Sequence, residues 1–177
     1  MGQKTENFII EEANLEDIPQ IVEFRRALFK EMGVPDSSFV EDVYGVVAKY
    51  YTEEFTKGSI RHFIAYDGKL PVAIAGALIK NDFPYYLFKP GYYGWIIDVY
   101  TKPGYRGRQL ASRLIEETHR WLTDKGIWEA KLIASGSEAR RLYDKLGYRA
   151  TWEMSLNLSG GSTFNEYIDQ RGDGEGI

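Results

Sequence analysis

Residues 70–79 read Leu-Pro-Val-Ala-Ile-Ala-Gly-Ala-Leu-Ile and are apolar at nearly every position. A strand with one wet face alternates apolar and polar residues. A strand apolar on both faces must be covered on both. Asp67-Gly68, just before this run, is a hairpin turn signal that makes 61–66 the antiparallel partner. The chain therefore needs a sheet with helices packed against it. The continuous apolar part, 72–79, is too short to cross a bilayer.

The rest of the chain supplies those layers. Residues 8–12 read as a short strand. Asn14 is a natural N-cap with Glu16 and Asp17 in the first turn, and Leu15, Ile18, Ile21, Val22, Leu28, Phe29 and Met32 follow at helical spacing. Gly33 and Pro35 stop that helix. Ser37 and Ser38 can cap a second, whose stripe is Val40, Val43, Tyr44, Val47, Tyr51 and Phe55. Residues 81–94, with Pro84 and Pro90, read as a loop or irregular hairpin. Residues 95–101 form a third long strand, 108–125 an amphipathic helix, 127–134 a strand, 135–146 a shorter helix, and 148–158 a last strand or pair of strands. The order β-α-α-β-β-β-α-β-α-β gives an α/β or α+β sandwich with a mixed sheet. Residues 1–158 read as one domain and 159–177 as a Gly-rich tail.

Composition narrows the chemistry. The 177 residues include no Cys, which removes disulfides, thiolate metal ligands and a covalent cysteine intermediate. His62 and His119 are the whole supply of imidazole, so a metal site is poorly provided for and none is expected. The net charge of −4 argues against broad nucleic-acid binding, which rests on clustered positive charge. The first residues, MGQKTENF, hold no apolar signal core, and a cytoplasmic location with no membrane partner is the expectation.

The most informative stretch runs from Trp95 to Ala111: a buried strand, a tight basic turn holding Gly104 and Gly107, and the start of a helix. A helix N-terminus offers unpaired backbone N–H groups and about half a positive charge, which together bind anions. Lys102, Arg106 and Arg108 add full charges. The alternative is a connection that merely turns tightly, its basic residues solvated. Neither the Walker pattern nor Gly-x-Gly-x-x-Gly is present.

Arg106-Gly107-Arg108-Gln109-Leu110-Ala111 resembles the Arg/Gln-x-x-Gly-x-Gly/Ala signature of the GNAT superfamily of acyl-CoA N-acyltransferases. Ala139-Arg-Arg-Leu-Tyr-Asp-Lys-Leu-Gly-Tyr148 is similar to that family's Ala-x-x-Leu-Tyr-x-x-x-Gly-Phe/Tyr block. The two motifs stand in order, and the resemblance covers about residues 8–158. It implies a mixed, mostly antiparallel sheet flanked by helices, with two strands splayed at the acyl-CoA site. It also implies an enzyme moving an acetyl group from acetyl-CoA to a primary amine of a small molecule. The amides of Arg106, Gly107, Arg108, Gln109, Leu110 and Ala111 would hold the pyrophosphate. The backbone of Val99, Tyr100 and Thr101 would pair with the pantetheine arm. One departure stands out: Gln109 occupies the place of the signature's first glycine. In a regular helix start this residue takes right-handed backbone, which any residue adopts.

Two side chains are catalytic candidates. Tyr143 matches the family tyrosine that protonates the departing thiolate, although its spacing with Leu142 and Leu146 also suits a core residue. Asp98 is a carboxylate in an otherwise apolar strand. A raised pKa would suit a base that deprotonates an ammonium group. It could instead anchor a cationic amine, or be a structural Asp held by backbone or by an Arg of the first helix. In spermidine/spermine-type members a Glu precedes this Asp, and here Ile97 replaces it. Tyr85 and Tyr86, with Tyr92 and Tyr93, form an aromatic cluster suited to an amine acceptor, or to simple cover over the sheet. Arg25, Glu31 and His62 are further pocket candidates. Two rival functions remain: a non-catalytic acyl-CoA sensor, and a protein or peptide N-acetyltransferase. Homodimers are common among related proteins.

Overall fold

The computed structural model describes residues 7–35, 41–83, 91–154, 156 and 158. It divides into two compact units, one made of described residues up to 30 with 34–132, the other of 31–33 with those from 133 onward.

The first unit is built on a five-stranded sheet in the order β1-β2-β3-β4-β5. Its strands are β1 (Ile9–Glu12), β2 (Ile60–Asp67), β3 (Leu70–Asn81), β4 (Tyr92–Thr101) and β5 (Ala130–Lys131). The first four pair antiparallel, and β4 pairs with β5 in parallel. This is the mixed, mostly antiparallel sheet that the sequence implies. β3 is central and buried at every position from 72 to 77, as its unbroken apolar run requires.

Helix α1 (Ile18–Glu31) is entered through a short 3-10 turn, Leu15–Asp17. Asn14 caps that turn reciprocally: its side chain accepts from Glu16 N–H, while its own N–H donates to Asp17 Oδ2 at 2.8 Å. Helix α2 (Val43–Lys57) is capped by Asp42, whose carboxylate accepts from Gly45 N–H, and ends at Gly58 in left-handed backbone. Ile21 and Phe24 of α1 and Tyr51 of α2 form one core with Ala13, Ile60, Ile64, Ile74 and Tyr100. Helix α3 (Leu110–Asp124) buries Leu110, Leu114, Ile115, Thr118 and Leu122 and packs on β2, β3 and β4.

Helix α4 (Ser137–Lys145) belongs to the second unit and buries Tyr143. The expected strand over 148–158 is absent among the described residues, and the strand over 127–134 is reduced to Ala130–Lys131. Trp152 and Met154 are almost fully exposed. Their alternation suits a strand, but alternation forms a ladder only where a partner edge accepts the backbone bonds. Among the described residues no helix is long and apolar enough to cross a membrane.

Candidate active site

β4 pairs with β3 along its length but with β5 only at Gly94 and Trp95. From Ile96 to Thr101 its far edge has no ladder partner among the described residues. The β4–β5 ladder thus ends at Trp95.

The strand is also interrupted. Ile74 faces Tyr100 while Gly76 faces Ile97, so Ala75 alone opposes both Asp98 and Val99. This is a β-bulge, which bends a strand and re-aims its groups. Asp98 sits in it with φ +54°, the sole non-glycine strand residue with positive φ among the described residues.

The Asp98 carboxylate is almost fully buried and doubly held. Arg25 Nη1, from α1, donates to Oδ1. His62 Nε2, from β2, donates to Oδ2 at 2.9 Å. Burial by itself would raise the Asp98 pKa, but the Arg25 guanidinium and the His62 hydrogen bond outweigh it and hold the carboxyl below the ordinary aspartate range. The raised value that a proton-accepting Asp98 would need is therefore corrected: desolvation is present, yet the Arg25 charge and the hydrogen bond from His62 overcome it. Arg25 also lies over the Phe29 ring, 4.9 Å from its centroid. His62 is buried against Tyr51, with ring centroids 5.3 Å apart, and its Nδ1 has no hydrogen-bond partner among the described residues.

Beyond β4 the chain makes a 3-10 turn, Pro103–Tyr105, and then enters α3. Two basic side chains brace this loop: Arg106 Nε donates to Thr101 O at 3.0 Å, and Arg108 Nη2 to Gly104 O at 3.0 Å. Gly107 has φ +75° and Gln109 φ +62°. The right-handed backbone expected at Gln109 is thus corrected to left-handed. The loop must reverse direction within a few residues to aim α3 back along the sheet, and two positive-φ positions accomplish the reversal. A glycine would adopt this conformation without steric cost, which is the physical meaning of a glycine at this place in the signature. The first intrahelical bond runs from Arg113 N–H to Gln109 O. The amides of Leu110 and Ala111 precede it and have no acceptor within the helix. Thr101 Oγ1, at the end of β4, is buried and without a partner among the described residues.

The structure thus brings Asp98, Val99, Tyr100, Thr101 and the 106–111 loop into one continuous strand–loop–helix unit, and adds Arg25 and His62 to it. Tyr100 itself is buried in the core beside Phe24, so only its backbone faces the open edge. Tyr85 and Tyr86 lie outside the described residues. Tyr143 lies in the second unit, buried, with its ring edge-on to Tyr148 at 5.7 Å; burial pushes its pKa up to about 12. Among the described residues no group of three or more His, Asp or Glu could hold a metal ion.

A strand whose ladder with β5 ends at Trp95, which bulges against β3 at Asp98 and then runs through a basic turn into a helix start, offers backbone and positive charge suited to a long anionic ligand. The family comparison agrees. The model of the acetyltransferase (GNAT) family matches residues 23–148, and the chain belongs to that family. No curated protein sequence matches it. Among solved structures, the chain is similar to a predicted acetyltransferase from Clostridium acetobutylicum determined with acetyl-CoA (23% identity, 89% of this chain and 100% of that one, TM-score 0.79). It is also similar to a GCN5-related N-acetyltransferase from Ralstonia eutropha JMP134 (22% identity, 87% and 100%, TM-score 0.76). A third is glucosamine-6-phosphate N-acetyltransferase from Arabidopsis thaliana (18% identity, 86% and 99%, TM-score 0.65). The fold is that of this family, and by family the chain is an acyltransferase.

Proposed function

We propose that the protein transfers an acetyl group from acetyl-CoA directly to a primary amine of a small molecule. The observation that carries this reading is the open β4 edge from Ile96 to Thr101 leading into the unconsumed amides at the start of α3. The backbone of Val99, Tyr100 and Thr101 lies along the pantetheine arm, with the orphaned Thr101 Oγ1 offering one more hydrogen bond. The amides of 106–111 hold the pyrophosphate, where each charge-assisted bond contributes roughly 1.5–3 kcal/mol. Arg106 and Arg108 brace the loop and bring positive charge to it.

The chemistry needs no covalent enzyme intermediate. The amine nitrogen attacks the thioester carbonyl, the carbon–sulfur bond breaks, and the thiolate takes a proton. An amide of the bulged strand polarises the carbonyl as charge develops on its oxygen. Tyr143 retains, on its sequence match, the role of proton donor to the thiolate. Its raised pKa keeps the phenol protonated at neutral pH. A small amine is favoured by a structural relative named for acetylating glucosamine-6-phosphate.

Release of free thiol from acetyl-CoA, followed across a panel of amino sugars, polyamines, amino acids and short peptides, tests the reading. Turnover confined to small amines is expected. Turnover confined to peptides would move the acceptor to a protein. Saturable acetyl-CoA binding with no turnover on any amine would favour the sensor, which the left-handed Gln109 at the phosphate loop makes the specific rival.

A further inference from the structure

The cluster of Arg25, Asp98 and His62 joins three elements at the bulge. Asp98 holds a left-handed backbone in mid-strand, at φ +54°. That conformation is sterically costly for most side chains and persists where the surroundings over-determine it. Its two carboxylate oxygens are taken from opposite sides, by Arg25 of α1 and by His62 of β2. β2 is not a neighbour of β4; β3 lies between them. The His62 ring reaches Asp98 only because Gly76 of β3 stands between them, paired with His62 on one side and Ile97 on the other. A Cβ on Gly76 would fall 2.4 Å from His62 Nε2. The Tyr51 ring packs against the imidazole, with centroids 5.3 Å apart, and His62 is 1% exposed. The imidazole has one place to be, and in it Nε2 points at Asp98.

We propose that Arg25 and His62 are positioning residues that clamp the Asp98 carboxylate, fix the bulge in its left-handed form, and so aim the Val99 amide that follows. Asp98 is the strut of this clamp and does not receive the amine's proton. The role rests on the acetyl-transfer reading for its catalytic consequence. The clamp itself does not depend on it.

The clamp and a proton-accepting Asp98 predict opposite rankings of the same variants. Glycine adopts positive φ freely and alanine does not. If Asp98 acts through the backbone, Asp98→Gly turns over about tenfold faster than Asp98→Ala, and both keep the acidic limb of the kcat/KM profile. If Asp98 takes the proton, the two variants are equally slow and the acidic limb disappears, which overturns the proposal. In Arg25→Lys, kcat falls on the order of tenfold while the dissociation constant for CoA, which carries no acyl carbonyl, stays put. A matching loss of CoA binding would mean a merely structural role and would also overturn it. Hydrogen exchange separates this proposal from the acetyl-transfer reading. In Arg25→Lys and His62→Gln, amides of residues 97–101 should exchange faster than in the parent chain, whether or not any amine is acetylated. Unchanged exchange there sinks the clamp even in an active enzyme. Absent turnover with faster exchange sinks the acetyl-transfer reading alone.

Discussion

His62 and Gly76 face each other across β2 and β3, and the imidazole occupies the space that any side chain on Gly76 would need. The glycine is therefore a spacer through which a residue on one strand reaches a residue two strands away. Gly76→Ala should push the ring off Asp98. Overpacking of a full core costs typically about 1–3 kcal/mol, and the lost bond to the carboxylate adds to it. Urea unfolding of the variant should show a lower midpoint with an unchanged slope. A midpoint equal to that of the parent chain would show that the ring has room to move.

Gln109 presents the second backbone test. A side chain in left-handed backbone carries a penalty of roughly 1–2 kcal/mol that glycine avoids. Replacement by glycine also loosens the unfolded chain, so the informative comparison is between two variants. Gln109→Gly should be more stable than Gln109→Ala by about 1 kcal/mol, read from thermal or urea unfolding. The reverse order would mean that the residue starts α3 in right-handed backbone.

Asp98 links stability to acid. Its folded pKa lies below the ordinary value of 3.8, because Arg25 and His62 favour the carboxylate more than burial opposes it. A depressed carboxyl contributes stability that is complete above the unfolded pKa and is lost as pH falls through the folded pKa. The stability difference between the parent chain and Asp98→Asn should thus be constant from pH 7 to about pH 5. It should shrink only as the pH passes below 3.8. A difference that already shrinks near neutral pH would point to a raised Asp98 pKa and restore it as a base.

Tyr143, with its pKa raised to about 12 by burial, is a phenol at every pH at which the enzyme would work. A positioned proton donor accelerates its step by about a hundredfold or more. Tyr143→Phe should lower kcat by about that factor and leave the KM for acetyl-CoA alone. An unaltered kcat would return Tyr143 to the role of a packed core ring.

The strand–loop–helix from Trp95 to Ala111 and the helix around Tyr143 were legible because each motif is contiguous. Local spacing, glycines and caps carry the information, and the central strand announced itself by an apolar run with no alternation. The partners of Asp98 were not legible to the same degree. Arg25 lies 73 positions away and His62 36, and nothing in local pattern ties them together. The sequence allows an arginine of the first helix as one of several partners for Asp98, and it offers His62 as a pocket residue without naming what it holds. The bulge was invisible for the same reason: it is a mismatch of register between β3 and β4, a property of the pair and of neither strand. The backbone of Gln109 departs from a regular helix start because the closure of the preceding loop sets its φ. Among the described residues of 148–158 no strand forms, because alternation describes a side-chain pattern and gives no partner edge.

The sequence by itself determined the kinds and order of the elements, the buried central strand, and a basic loop ahead of an amphipathic helix. These follow from short-range sterics and from where apolar side chains recur. Only the tertiary structure decided that Asp98 is a clamped, low-pKa carboxylate at a bulge. A pKa and a strained φ are fixed by charges and contacts from α1, β2 and β3, which the chain brings within hydrogen-bond distance only after it folds.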